Sequence, residues 1–190
     1  MTQLPQTVQN ALAQLLQLDP TTASLQDVEN IANSLTAAGN GQPGGLIFSG
    51  PVGSFSSTDV AKNIASNVPG LNIINDTDRG IFLGQDQVFQ TISQIVAANN
   101  PSFNNGQIAA ATNDFLSGPP LDISPTGTEI ASVQNSLWGQ AEAAYVSSLS
   151  GDITFIGTAP DINRIAALVA LPTARSTSAI KSINGTTNSA

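Results

Sequence analysis

Residues 46–74 read LIFSGPVGSFSSTDVAKNIASNVPGLNII, and the fold class turns on them. Leu46-Ile47-Phe48 is a short apolar run of strand type, Thr58 to Asn67 has helical spacing, and Leu71-Asn72-Ile73-Ile74 is again strand-like. Strand, helix and strand in that order are the mark of an α/β layer structure. The expected architecture is an α/β domain with a small, mostly parallel sheet of about four to five strands flanked by helices.

Toward the N-terminus, Pro5 sits at a first helical turn, and Val8, Leu12, Leu15 and Leu16 form an apolar stripe that ends at Asp19-Pro20. Ser24 with Asp27 three residues on caps a second helix carrying Leu25, Val28, Ile31, Ala32 and Leu35, with Gly39 as its stop. The glycine-rich stretch 39–45 reads as a joint. Residues 1–44 are thus expected to form a helical N-terminal arm, 45–185 the α/β domain, and 186–190 a disordered tail.

Toward the C-terminus, Asp86 to Asn99 places Val88, Ile92, Ile95 and Val96 on one helical face. Residues 100–126, with Gly118-Pro119-Pro120 and Pro125, read as a long irregular excursion. Thr128 to Leu149 reads as a single long helix closed by Ser150-Gly151. Ile153 to Ile156, Ala167 to Leu171 (ended by Pro172) and Ala179 to Ile183 are the expected third, fourth and fifth strands, and 184–190 a frayed end.

Composition narrows the chemistry. The chain of 190 residues has no Cys and no His, which removes thiol nucleophiles, imidazole bases, His or Cys zinc sites, Ser-His-Asp triads and disulfides. Catalysis would have to run on carboxylates, hydroxyls and aromatics, with no metal site and no cofactor expected. A net charge of −8, from 13 acidic and 5 basic residues, argues against a phosphate-tracking nucleic-acid binder and a polybasic membrane-surface module. No apolar run approaches the ~20 residues that span a bilayer. Charged residues are only 9% of the chain, a surface chemistry more typical of exported proteins. Met1 to Pro5 carries neither a charged nor an apolar signal region, so a secretory signal is not expected in this stretch.

Ligands of open α/β sheets bind beyond the carboxyl ends of the strands. The residues that follow the expected strands are Phe48-Ser49-Gly50-Pro51, Asn75-Asp76-Thr77-Asp78 and Gly157-Thr158, while Ala170 lies shortly before Pro172. The lone Trp138 lies on the helix leading into the third strand. Each has a plainer reading beside the functional one. Phe48 and Trp138 fit core positions, and Asp76 to Gly80 fits a capped turn opening a short helix. Ser49 to Gly53 fits a loop as well as a phosphate cradle. Glu142, one turn beyond Trp138, fits either a substitute acid or a solvated helix-face carboxylate. Asp152 and Asp161 read as strand-edge and turn residues, and Asn184-Gly185-Thr186 matches the glycosylation pattern formally.

The order of these motifs resembles the ADP-ribosyl cyclase and NAD glycohydrolase superfamily, with its related bacterial toxin domains and fungal homologues. The resemblance spans about residues 45–185 and lies in pattern, carried by Leu46-Ile47-Phe48-Ser49, Ile73-Ile74-Asn75-Asp76-Thr77, Ser136-Leu137-Trp138 through Tyr145 to Phe155, and Leu168-Val169-Ala170-Leu171-Pro172. It implies cleavage of the nicotinamide-ribosyl bond of NAD, with NAD as substrate rather than cofactor, to give nicotinamide and linear or cyclic ADP-ribose. The roles it implies are stacking for Phe48 and Trp138, phosphate or ribose contact for Ser49, and contact near the nicotinamide amide for Asp76 and Thr77. Asn75 falls where the family has a glutamate in its acidic segment.

The catalytic glutamate of the family falls on Ala170. Three accounts of this residue stand: an engineered inactivating substitution, a natural loss of catalysis, or a shifted registration of the fourth strand. The resemblance also implies a secreted or delivered toxin or effector with an immunity protein as partner. The alternative is a non-catalytic nucleotide-binding or interaction module.

Overall fold

The computed structural model describes residues 3–39, 41, 43–48, 51–52, 55–121, 125–156 and 165–189. The elements in chain order are α1 (Gln6–Leu15), α2 (Leu25–Asn33), β1 (Gly45–Phe48), β2 (Pro51–Val52), β3 (Phe55–Ser56), α3 (Ser57–Asn67), a 3-10 turn (Ile74–Asp76), α4 (Asp78–Leu83), α5 (Asp86–Asn99), α6 (Asn105–Ser117), α7 (Gly127–Asn135), α8 (Leu137–Ser147), β4 (Gly151–Ile156), a π-helical segment (Ala166–Ala170), α9 (Leu171–Ser176), β5 (Ile180–Ile183) and β6 (Thr186–Thr187).

The α/β expectation holds: the main sheet has the order β1-β4-β5-β6 and is mostly parallel. β1 runs parallel to β4, with Gly45 opposite Ile153 and Phe48 opposite Ile156, and β4 runs parallel to β5. Parallel neighbours require crossovers, which here are the helices α3 to α8 and the helical stretch before β5. Helices cover both faces of β1. Leu46 packs with Ala61 and Ile73 on one side, while Ile47 joins the main core with Phe82, Ile92 and Tyr145 on the other.

Helices α1 and α2 contribute Val8, Leu12, Leu15, Val28 and Ala32 to this same main core, so the segment read as an arm is packed against the sheet domain. Arg79 fastens it, donating from Nε to the Leu35 carbonyl at 3.1 Å and from Nη2 to the Asn33 carbonyl at 3.2 Å. A cation at these carbonyls is favoured by the partial negative charge at the end of α2.

Five local expectations are corrected. Leu71 to Ile74 is not a strand: the Leu46 N–H donates to the Asn72 carbonyl at 3.1 Å, and at Ile74 the chain turns into the 3-10 segment. Ala167 to Leu171 is helical. A short apolar run of this length reads alike as strand or helix, and alanine favours the helix. Pro172 has no N–H to give the preceding turn, the turn widens into π geometry, and the Leu168 carbonyl accepts from Gln134 Nε2 at 3.4 Å.

The expected single helix 128–149 is two helices broken at Ser136, whose backbone is extended. Within 100–126, α6 forms behind a reciprocal cap in which Asn104 Oδ1 accepts from the Gln107 N–H and Gln107 Oε1 from the Asn104 N–H. At the C-terminus, Thr186-Thr187 pairs antiparallel with β5 instead of fraying. The two-residue turn Asn184-Gly185 has φ of 50° and 77°, the left-handed pair that a tight hairpin requires.

Candidate functional site

A cleft of about 260 Å³ opens at the carboxyl end of β1. Phe48, the last residue of that strand, forms one wall, Ile74 and Asn75 of the 3-10 turn a second, and Trp138 and Glu142 of α8 a third. Thr58, Ser117, Ile165 and Ala166 complete the lining. The space suits one heterocyclic ring with its substituents rather than a whole dinucleotide, being at the small end of ligand pockets.

Two local devices of the same kind aim the walls. Ser136 Oγ accepts from the Gly139 N–H at 3.1 Å and donates to the Val133 carbonyl at 2.7 Å, so that α8 starts sharply and Trp138 lies in its first turn. Thr77 Oγ1 likewise accepts from the Gly80 N–H at 3.0 Å and donates to the Ile74 carbonyl at 2.7 Å. In both, the fourth residue must be glycine, because a Cβ would run into the carbonyl oxygen of Val133 or of Ile74.

Glu142 stands four residues after Trp138, on the same face of α8. It is 8% exposed, and burial pushes its carboxyl up to about 8. Asn75 Oδ1 is buried without a hydrogen-bond partner among the described residues. Next to it, Asp76 is exposed by surface area, yet enough protein surrounds its carboxyl to raise it above the usual range, with Lys62 opposing. Tyr145, one turn beyond Glu142, is fully buried, and burial together with the Glu142 charge raises its phenol.

Phe48, Asn75 and Trp138, all picked from the sequence, meet in this cleft. Asp76 follows the lining residue Asn75 in the chain but does not itself line the cleft. Thr77 is a buried cap, the plainer of its two readings, and both of its hydroxyl bonds are internal. Ser49, Gly157, Thr158 and Asp161 lie outside the described residues. Ala170 is 0% exposed in the helical stretch and does not line the cleft, whereas Ala166, a turn earlier, does. Glu142 is buried rather than solvated; its spacing from Trp138 was the signal for it. Among the described residues no group of three Asp or Glu side chains is placed to hold a metal ion. No helix among them is long and apolar enough to cross a membrane. Comparison of the chain with protein-family models, with curated proteins and with solved structures gave no match.

Proposed function

We propose that the cleft receives the nicotinamide end of NAD and that the protein cleaves the nicotinamide-ribosyl bond, as the resemblance to the cyclase and glycohydrolase superfamily implies. The observation that carries the reading is convergence: Phe48, Asn75 and Trp138 come from three separate segments and line one cleft. Two aromatic side chains offer surfaces to a planar ring, and the unpartnered Asn75 Oδ1 offers an acceptor to a carboxamide N–H.

In this chemistry the bond between ribose C1′ and the pyridinium nitrogen breaks, and its electron pair leaves with neutral nicotinamide. The ribose cation takes up water, which gives its proton to solvent. No general acid is needed, but a carboxylate beside the ribose stabilises the developing charge. Among the described residues Glu142 is the carboxyl that lines the cleft, and in this proposal it takes that role in place of position 170. The proposal extends to a delivered effector with an immunity protein.

The test is chromatographic detection of nicotinamide released from NAD by the full chain, by Glu142→Gln and by Trp138→Ala. Release by the full chain, with a loss of about 100-fold or more in Glu142→Gln, supports the reading. Saturable binding of NAD without turnover favours a second reading, a non-catalytic nucleotide-binding module, which the burial of Ala170 away from the cleft supports. Absence of both binding and turnover overturns both and leaves an interaction module.

A further inference from the structure

The described residues that line the cleft combine aromatic surfaces and acceptors. Phe48 and Trp138 contribute rings, Glu142 a carboxyl and Asn75 an unpartnered oxygen, and none of the described lining residues is Lys or Arg. An aromatic pair with a buried carboxyl is suited to a positively charged ring, because the ring faces and the carboxylate both attract it and little water screens them. We propose that the cleft is a charge-selective cage that takes an N-alkylated pyridinium, with Glu142 as counter-ion, and discriminates against the uncharged form of the same ring. The inference rests on the nicotinamide reading above and adds to it the charge state that is recognised.

A proton is coupled to occupancy. With the cleft empty, burial holds the Glu142 proton up to about pH 8. A cation against the carboxyl favours its ionised form, so entry of the pyridinium at neutral pH releases that proton to solvent. The neighbouring titratable groups do not take over this role. Tyr145 is raised and stays protonated, and Asp76, raised by partial burial against the pull of Lys62 of α3, is not among the residues that line the cleft. The described residues that line the cleft from the other elements are uncharged, Thr58 from α3, Ser117 from α6 and Ala166 from the π-helical segment among them.

Trp138 is the only tryptophan of the chain, so its fluorescence reports on the cleft directly. The probes are the N1-methylnicotinamide cation and neutral nicotinamide, titrated from about pH 6 to 9. The expected result is at least ~10-fold tighter binding of the cation at the alkaline end, with affinity that falls toward acid by up to ~10-fold per unit. Nicotinamide should show no such slope, and Glu142→Gln should lose both preference and slope. Calorimetry of the unmodified chain in two buffers of different ionisation enthalpy should show a proton released with the cation.

Equal affinity for the two probes, a preference that survives in Glu142→Gln, or no proton released overturns the cage. Parallel measurement of nicotinamide release from NAD separates the two readings. Turnover without a charge preference removes the cage and leaves the proposed activity standing. Neither turnover nor quenching by either probe removes both.

Discussion

The Tyr145 hydroxyl donates to the Asn72 carbonyl oxygen at 2.8 Å and lies 3.2 Å from the Leu46 carbonyl oxygen. One buried phenol thereby joins α8 to β1 and to the segment leading into Asn75. These three pieces form the walls of the cleft, so their relative position is set from beneath by this hydroxyl.

Removing that hydroxyl in Tyr145→Phe should cost about 1 kcal/mol, the net worth of a buried hydrogen bond. The cost stays modest because the Asn72 carbonyl keeps a second donor, the Leu46 N–H at 3.1 Å. Urea denaturation reads the difference. A variant as stable as the parent would mean that the phenol does not tie these segments together.

The Ser136 and Thr77 caps should respond in parallel. Alanine at either position removes the acceptor for the N–H three residues on and is expected to cost about 1 kcal/mol. Gly139→Ala and Gly80→Ala should each cost more, because the added Cβ meets the backbone carbonyl of Val133 or of Ile74 in the preceding segment. The order of the four variants in chemical denaturation checks the geometry. Alanine harmless at both glycines would contradict the close approach.

Elements with one uninterrupted pattern were legible in the sequence. Asp86 to Asn99 forms the helix expected, and Leu46 to Phe48 and Ile153 to Ile156 form a parallel pair of the main sheet. Reading failed where periodicity ran through a break or lacked a period. The apolar spacing by fours from Ile130 to Leu149 continues across Ser136 and hides the cap that starts a new helix. Ala167 to Leu171 is apolar at every position, so no period separated strand from helix, and only Val169 and Ala170 of the run are buried. Asn104 with Gln107, and Asn184-Gly185, were local signals of a helix start and a hairpin that composition alone had made look like loop and tail. For the site, strand ends and the lone Trp138 led to the cleft. The state of Glu142 was not legible, because the 3-10 turn and the π-helical segment that pack against α8 are distant from it in sequence.

Position 170 tests where the acid belongs. Ala170 is fully buried among the core residues beside Val169 and Ala174. Ala170→Glu must therefore either place a carboxyl in the core or displace the helix, and should destabilise the fold by more than about 4 kcal/mol. Nicotinamide release should fall with the folded fraction rather than rise. A folded Ala170→Glu variant of undiminished stability with gained turnover would restore the fourth-strand registration and remove Glu142 from the role.

Glu142 also leaves a signature on stability against pH. Its carboxyl is raised from about 4.5 to about 8, so between those values the folded chain holds a proton that the unfolded chain has lost. The unfolded state binding fewer protons means that stability falls as pH rises through this window. Below the window both states are protonated and the residue contributes no slope. Above it both are ionised and the full penalty of a buried carboxylate is present. The slope is roughly 1.4 kcal/mol per pH unit for one such group. Glu142→Gln keeps the shape without the charge, so its stability should match the parent near pH 4 and exceed it progressively toward pH 8. Thermal unfolding of both chains across that range provides the check. Parallel curves would show that Glu142 ionises normally in the folded protein, and the stabilising effect of Gln would then be absent. Divergent curves, combined with loss of nicotinamide release in Glu142→Gln, would mark the residue as one whose burial is retained at the expense of stability for work in the cleft.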